Sequence, residues 1–178
     1  MKLIKLPNKT LRMKSIDITF PLSEKIIDIA EKMIKHVDDS QDPKNNMRAG
    51  VGISAVQLGQ TLNMFYINLA GANEDDFRDL IINPKVLAIG ANPAALEGGE
   101  GCLSVDEKMN NVDGLVHRKN KIIITGYSYF EKKEVRITKT GYPAIVIQHE
   151  LDHLDGKLFF DRIDKKNKWI KKEGEILI

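Results

Sequence analysis

Thiol chemistry is almost absent from this 178-residue chain: Cys102 is its single cysteine. No internal disulfide can form, which agrees with a reducing cytoplasm. Long hydrophobic runs are missing too. No stretch approaches the ~18–20 apolar residues of a membrane span, and the opening Met1-Lys2-Leu3-Ile4-Lys5-Leu6-Pro7 lacks the apolar run of a secretory signal. An excess of either charge is missing: a formal net charge of +2 is too small to argue for general affinity for DNA or other nucleic acid. There is no internal repeat, no low-complexity tract and no regular βαβ alternation, which excludes solenoids and a doubly wound sheet. The chain is 42% hydrophobic and 29% charged, a composition that suits one catalytic domain over residues 1–178 with a sizeable core.

Against this plain background stands His149-Glu150-Leu151-Asp152-His153. Two imidazoles four residues apart on a helix share a face, with Cβ atoms roughly 5–6 Å apart, so both can reach one divalent ion. Glu150 between them is placed to take a proton from water. Pro143 suits a first helical position, Ala144 to Leu154 supplies an apolar face, and Gly156 is a natural stop. The competing reading is a pair of satisfied core histidines with Glu150 merely exposed. A third ligand would decide between them. In one class of HExxH enzymes a third His follows the helix, but Phe159 occupies that position here, and the class is excluded. Two sources remain: Glu173 or Glu175 near the C-terminus, or Cys102.

Cys102 lies in Leu96-Glu97-Gly98-Gly99-Glu100-Gly101-Cys102-Leu103-Ser104, where glycines would let backbone approach a ligand. A thiolate suits a borderline ion, although a solitary Cys is more often a small buried hydrophobe. A third segment, Gly50-Val51-Gly52-Ile53-Ser54-Ala55-Val56-Gln57, could lie flat against an extended substrate, with Gln57 as an amide donor. Taken alone, it reads equally as a tight loop entering a helix.

The three segments together resemble the peptide deformylase family. Its signatures are Gly-x-Gly-Leu-Ala-Ala-x-Gln, Glu-Gly-Cys-Leu-Ser and Gln-His-Glu-x-Asp-His-Leu, matched here by Gly50 to Gln57, Glu100 to Ser104 and Gln148 to Leu154. Ile53 and Ser54 depart from the first signature. Similarity extends through Asn83-Pro84-Lys85 and Gly114 to Arg118, and the polar stretch near Asp38 to Asn46 looks like the longer, Gram-positive-type form. The resemblance implies removal of the N-formyl group from the initiator methionine of nascent bacterial polypeptides, with release of formate. It implies that Cys102, His149 and His153 bind one divalent metal ion and leave a fourth position for water. The ion would be Fe(2+), with Zn, Ni or Co able to occupy the site. It further implies that Glu150 acts as general base and acid, and that Gln57 and the Leu103 N–H receive the developing oxyanion. Val51, Gly52, Gly101, Tyr142, Ile145 and Val146 would hold the methionine; each taken singly reads equally well as core packing.

The implied fold is α+β, with antiparallel β-sheets surrounding a central helix that carries the HExxH motif. The residues agree. Ser23 to Val37 predicts an amphipathic helix capped by Ser23, with Ile26, Ala30, Met33 and Val37 on one face. Leu62 to Leu69, Leu80 to Ile82, Lys85 to Ile89, Lys121 to Tyr127 and Glu134 to Thr138 read as strands. Asp38 to Asn46 and Ala70 to Asp76 read as surface loops, and His36 and His117 as surface residues. The Lys-rich run from Lys165 to Lys172 reads as a solvated helix end in preference to a ribosome contact, and Glu175 to Ile178 fits a strand. A monomeric cytoplasmic enzyme without DNA or membrane partners is expected.

Overall fold

The computed structural model describes residues 2–71 and 76–178. In chain order its elements are α1 (Glu24–Gln41), β1 (Gly52–Ser54), β2 (Met64–Asn68), β3 (Arg78–Ile89), β4 (Pro93–Ala95), β5 (Arg118–Lys119), β6 (Lys121–Ser128), β7 (Lys133–Thr140), α2 (Gly141–Leu154) and β8 (Ile176–Leu177). Strands β1-β2-β3-β6-β7 form one antiparallel sheet, and β5-β4-β8 form a second in which β4 and β8 run parallel. The architecture is α+β, as the sequence implies. Among the described residues no helix is long and apolar enough to cross a membrane.

Helix α1 starts where its cap dictates, with the Ser23 hydroxyl accepting from the Ile26 N–H. Ile29, Ala30, Met33, Ile34 and Val37 recur at helical spacing and are buried against β1, β2 and β3. Burying side chains of this size contributes about 1.5–3 kcal/mol each. The expected loop from Asp38 does not begin there, because the helix continues to Gln41. Tertiary partners outweigh the loop-like composition. Asp38 accepts from the Tyr66 hydroxyl, Asn68 Nδ2 and Arg78, each at 2.7 Å, and the Gln41 amide donates to Gly50 O and Asn68 O. Residues 72–75 of the other expected loop lie outside the described residues.

Burial alone would raise the Asp38 pKa, but the donors Tyr66, Arg78 and Asn68 outweigh it and hold the carboxyl below its ordinary value. A carboxylate with a depressed folded pKa adds stability above its unfolded pKa of about 3.9, and that stability is lost as pH falls through the folded value. Asp38→Asn, which turns an N–H2 toward these donors, should therefore destabilise by about 1–3 kcal/mol at pH 7. Urea melts should show the gap between wild type and variant closing as pH drops below about 4.

The two expected strands on either side of Asn83 are one strand, β3, interrupted by a bulge between Ile82 and Lys85. Asn83 sits there at φ 52° and its side chain closes two 2.8 Å hydrogen bonds on the backbone of Ile18, so the irregularity is anchored. Helix α2 carries His149 to His153 and is buried on most sides, Glu150, Asp152 and His153 included. Ala144, Val146, Ile147 and Leu154 pack on Phe65, Ile67, Ile81, Ile122 and Ile124 of the large sheet and on Leu69 just after β2. The helix begins at Gly141, two residues before the expected start at Pro143. It ends at Leu154, two residues before Gly156, whose φ of +70° and approach to the Arg12 carbonyl, where a Cβ would stand at 2.5 Å, both favour glycine.

Three further expectations change. The Lys165 to Lys172 run forms turns in place of a helix end. Lys168 folds back, with its carbonyl on the Leu115 N–H and its ammonium on Asp113. His117 is not a surface residue: its Nδ1 lies 2.8 Å from the fully buried Glu175 carboxylate, which also accepts from the Lys172 N–H. His36 is half-buried on the wall of a cleft. The expected terminal strand is present as β8.

Candidate active site

A cavity of about 510 Å³ opens between β1, the 99–104 loop and α2. The Gly50–Gln57 segment contributes a short strand and then one 3-10 turn, Ala55–Leu58, so it is neither the plain loop nor the ordinary helix of its simplest reading. Gly52 faces Glu150 so closely that a Cβ would meet Oε1 at 2.5 Å, so any side chain there would push the carboxylate aside. All six residues expected around the methionine, Val51, Gly52, Gly101, Tyr142, Ile145 and Val146, line this cavity. Gln57, Cys102, Leu103, His149 and Glu150 line it too, while His153 lies behind them, 1% exposed.

Sγ of Cys102 and one ring nitrogen from each of His149 and His153 all lie within 4.8 Å of one another, with Cys102 Sγ to His153 Nε2 at 3.3 Å. Ordinary metal–sulfur and metal–nitrogen bond lengths at tetrahedral angles place such donor atoms about 3.3–3.6 Å apart, so the trio fits one ion. Glu175, engaged with His117, is not among these groups, and neither is the exposed Glu173.

The orientation of His149 comes from residues that sequence reading did not single out. Its Nδ1 lies 2.8 Å from Glu100 Oε2, which leaves Nε2 to face the trio. Glu100 is gripped in turn by Arg118, whose third contact reaches Asp152 at 2.9 Å, and Arg162 clamps both oxygens of Asp152. Burial would raise the Glu100 pKa, but Arg118 and His149 outweigh it and keep the carboxyl below its usual range. Burial works against a charged His149, yet Cys102 and Glu100 outweigh it and push its pKa up to about 10. His153 moves the other way: burial, reinforced by His149, holds it neutral well below the ordinary value. The only available signal for this outer layer was the alternation of acid and Arg in Glu100, Arg118, Asp152 and Arg162, which span more than sixty residues of sequence.

Glu150 is 3% exposed, and burial raises its pKa despite opposition from His149, Ser54 and Arg118. Gln57 is equally enclosed. Its Oε1 accepts from the Ser54 N–H at 2.9 Å, which fixes the amide so that Nε2 points at Cys102 Sγ, 3.6 Å away, and at Ser104 Oγ, 3.2 Å away. Leu103 lies beside them on the cavity wall.

Comparison with known proteins gives a consistent answer. Residues 1–169 match the family model described as polypeptide deformylase. The peptide deformylase of Mycoplasmopsis pulmonis is 46% identical over 192 residues, covering 99% of this chain and 97% of the relative. That of Pediococcus pentosaceus is 40% identical over 176 residues, covering 96% and 94%. Among solved structures, a peptide deformylase from Legionella pneumophila superposes with a TM-score of 0.74 at 27% identity, covering 94% of this chain and 88% of that one. The Thermotoga maritima enzyme gives 0.74 at 27% identity, covering 92% and 97%. Sequence and fold thus agree, and the chain belongs to the peptide deformylase family, a family of metal-dependent hydrolases.

Proposed function

We propose that this protein, acting as one catalytic domain, hydrolyses the N-formyl group of initiator methionine on nascent bacterial polypeptides and releases formate. The observation that carries the reading is the convergence of Cys102, His149 and His153 on one point of a cavity whose wall also holds the buried carboxylate of Glu150.

Cys102, His149 and His153 would hold one divalent ion, Fe(2+) in the cell. Bound there, it supplies Lewis acidity, making water easier to deprotonate and the formyl oxygen a better electron sink. Glu150 takes the proton of the attacking water. Its raised pKa brings it closer to neutral pH than a solvated carboxylate, which makes it a better base. Oxygen adds to the formyl carbon, the C–N bond breaks, and Glu150 returns the proton to the departing amine. The products are formate and a free N-terminus. Negative charge gathering on the formyl oxygen is met by Gln57 Nε2 and the Leu103 N–H, donors worth about 2.7–4 kcal/mol each when aimed at a transition state. Val51, Gly52, Gly101, Tyr142, Ile145 and Val146 take the methionine side chain.

The test is formate release from formyl-Met-Ala-Ser by anaerobically purified, iron-loaded protein, since oxygen attacks both iron and thiolate. Formate from the formylated peptide, with no turnover of the N-acetyl or unblocked peptides, is expected. Cleavage of an internal peptide bond without formate would overturn the reading in favour of a peptidase.

A further inference from the structure

Ser54 departs from the family signature, which has alanine at that position, and the structure gives its hydroxyl a partner. The residue is fully buried at the end of β1. Its Oγ lies 2.7 Å from Glu150 Oε2 and 3.1 Å from the Glu150 main-chain carbonyl. Among the described residues it is the one side chain that hydrogen-bonds the Glu150 carboxylate. We propose that Ser54 is a positioning residue for the reaction: its hydroxyl anchors Oε2 of Glu150, so that Oε1, the oxygen against Gly52, carries the proton. The proposal rests on the deformylase reading above and on the role given there to Glu150.

A hydroxyl has one proton to donate and two lone pairs to accept with. While Glu150 is ionised, the Ser54 proton lies on Oε2, the nearer acceptor and a charged one. With the transferred proton on Oε1, Oε2 remains an acceptor and keeps the Ser54 proton. Both protonation states therefore keep this hydrogen bond, and no heavy atom has to move. Alanine would leave Oε2 without this donor and free the carboxylate to rotate about its last torsion. It would not disturb Gln57, which is anchored by the Ser54 main-chain N–H.

Ser54→Ala should lower kcat on the order of tenfold, the size of one charge-assisted hydrogen bond, with KM and bound metal per chain unchanged. Ser54→Thr, which keeps the hydroxyl, should restore kcat. In a Glu150→Gln background, Ser54→Ala should cost nothing further, because both changes act on the same proton transfer. Wild-type kcat in Ser54→Ala, or a full additional tenfold loss in the Glu150→Gln background, would overturn the proposal, and the double variant decides even if the threonine does not pack. If wild type releases formate and Glu150→Gln does not, a normal Ser54→Ala sinks this proposal alone. If wild type releases no formate, the deformylase reading falls first and this proposal with it.

Discussion

Glu150→Gln should abolish nearly all formate release, lowering kcat by about 10²–10⁴-fold, while the protein stays folded and binds metal in the same ratio. Glutamine fills the same volume and still offers Ser54 an oxygen acceptor, but it cannot take up or return a proton. Glu150 is not one of the three converging ligand groups, so metal content measured by elemental analysis should not change. Thermal stability should not fall either. Burial raises the Glu150 pKa, so at neutral pH ionising this carboxyl costs folding free energy that glutamine does not. A single-turnover assay with formyl-Met-Ala-Ser separates the chemical step from binding. Full formate release in this variant would mean that the hydrolysis does not use Glu150 as its base.

Cys102→Ala should remove both metal and activity. Two imidazoles alone hold a divalent ion far more weakly than two imidazoles and a thiolate; even loss of an outer partner of a ligand costs roughly 10–100-fold in affinity, and loss of a ligand should cost more. Dialysed variant should carry little metal by elemental analysis and release no formate. Its fold should survive, since Cys102 is a small member of a cluster built from Val105, Val112, Val116, Leu158, Phe159 and Ile163. Circular dichroism and a melting curve check that point. Retained metal with retained hydrolysis would show that Cys102 is not a ligand and revive an acidic third ligand from the C-terminal segment.

Much of this site could be read from local spacing. The His149, Glu150, His153 triplet needs only the geometry of one helix turn, and the Ser23 cap and the Gly156 stop are equally local. Cys102 became readable only once its neighbours were taken with the helix motif, because no periodicity links a loop cysteine to residues some fifty positions away. The residues that escaped are those whose meaning depends on distant partners. Asp38 prolongs α1 because Tyr66, Asn68 and Arg78 arrive beside it, and β3 runs through Asn83 because Ile18 holds the bulge. Ser54 was visible as a departure from a signature, but its hydrogen bond to Glu150, 96 residues later, was not. Strands β4 and β5, of three and two residues, are too short to announce themselves in a sequence.

The chain of contacts from Arg162 through Asp152, Arg118 and Glu100 to His149 joins α2, β5 and the loop before Cys102, buried throughout except at Arg162. Those contacts aim the imidazole whatever it grips, so the receptacle is shaped by folding and not by its guest. Exchange of one cation for another then becomes a question of mass action and supply, and the same scaffold can be emptied and refilled without being rebuilt.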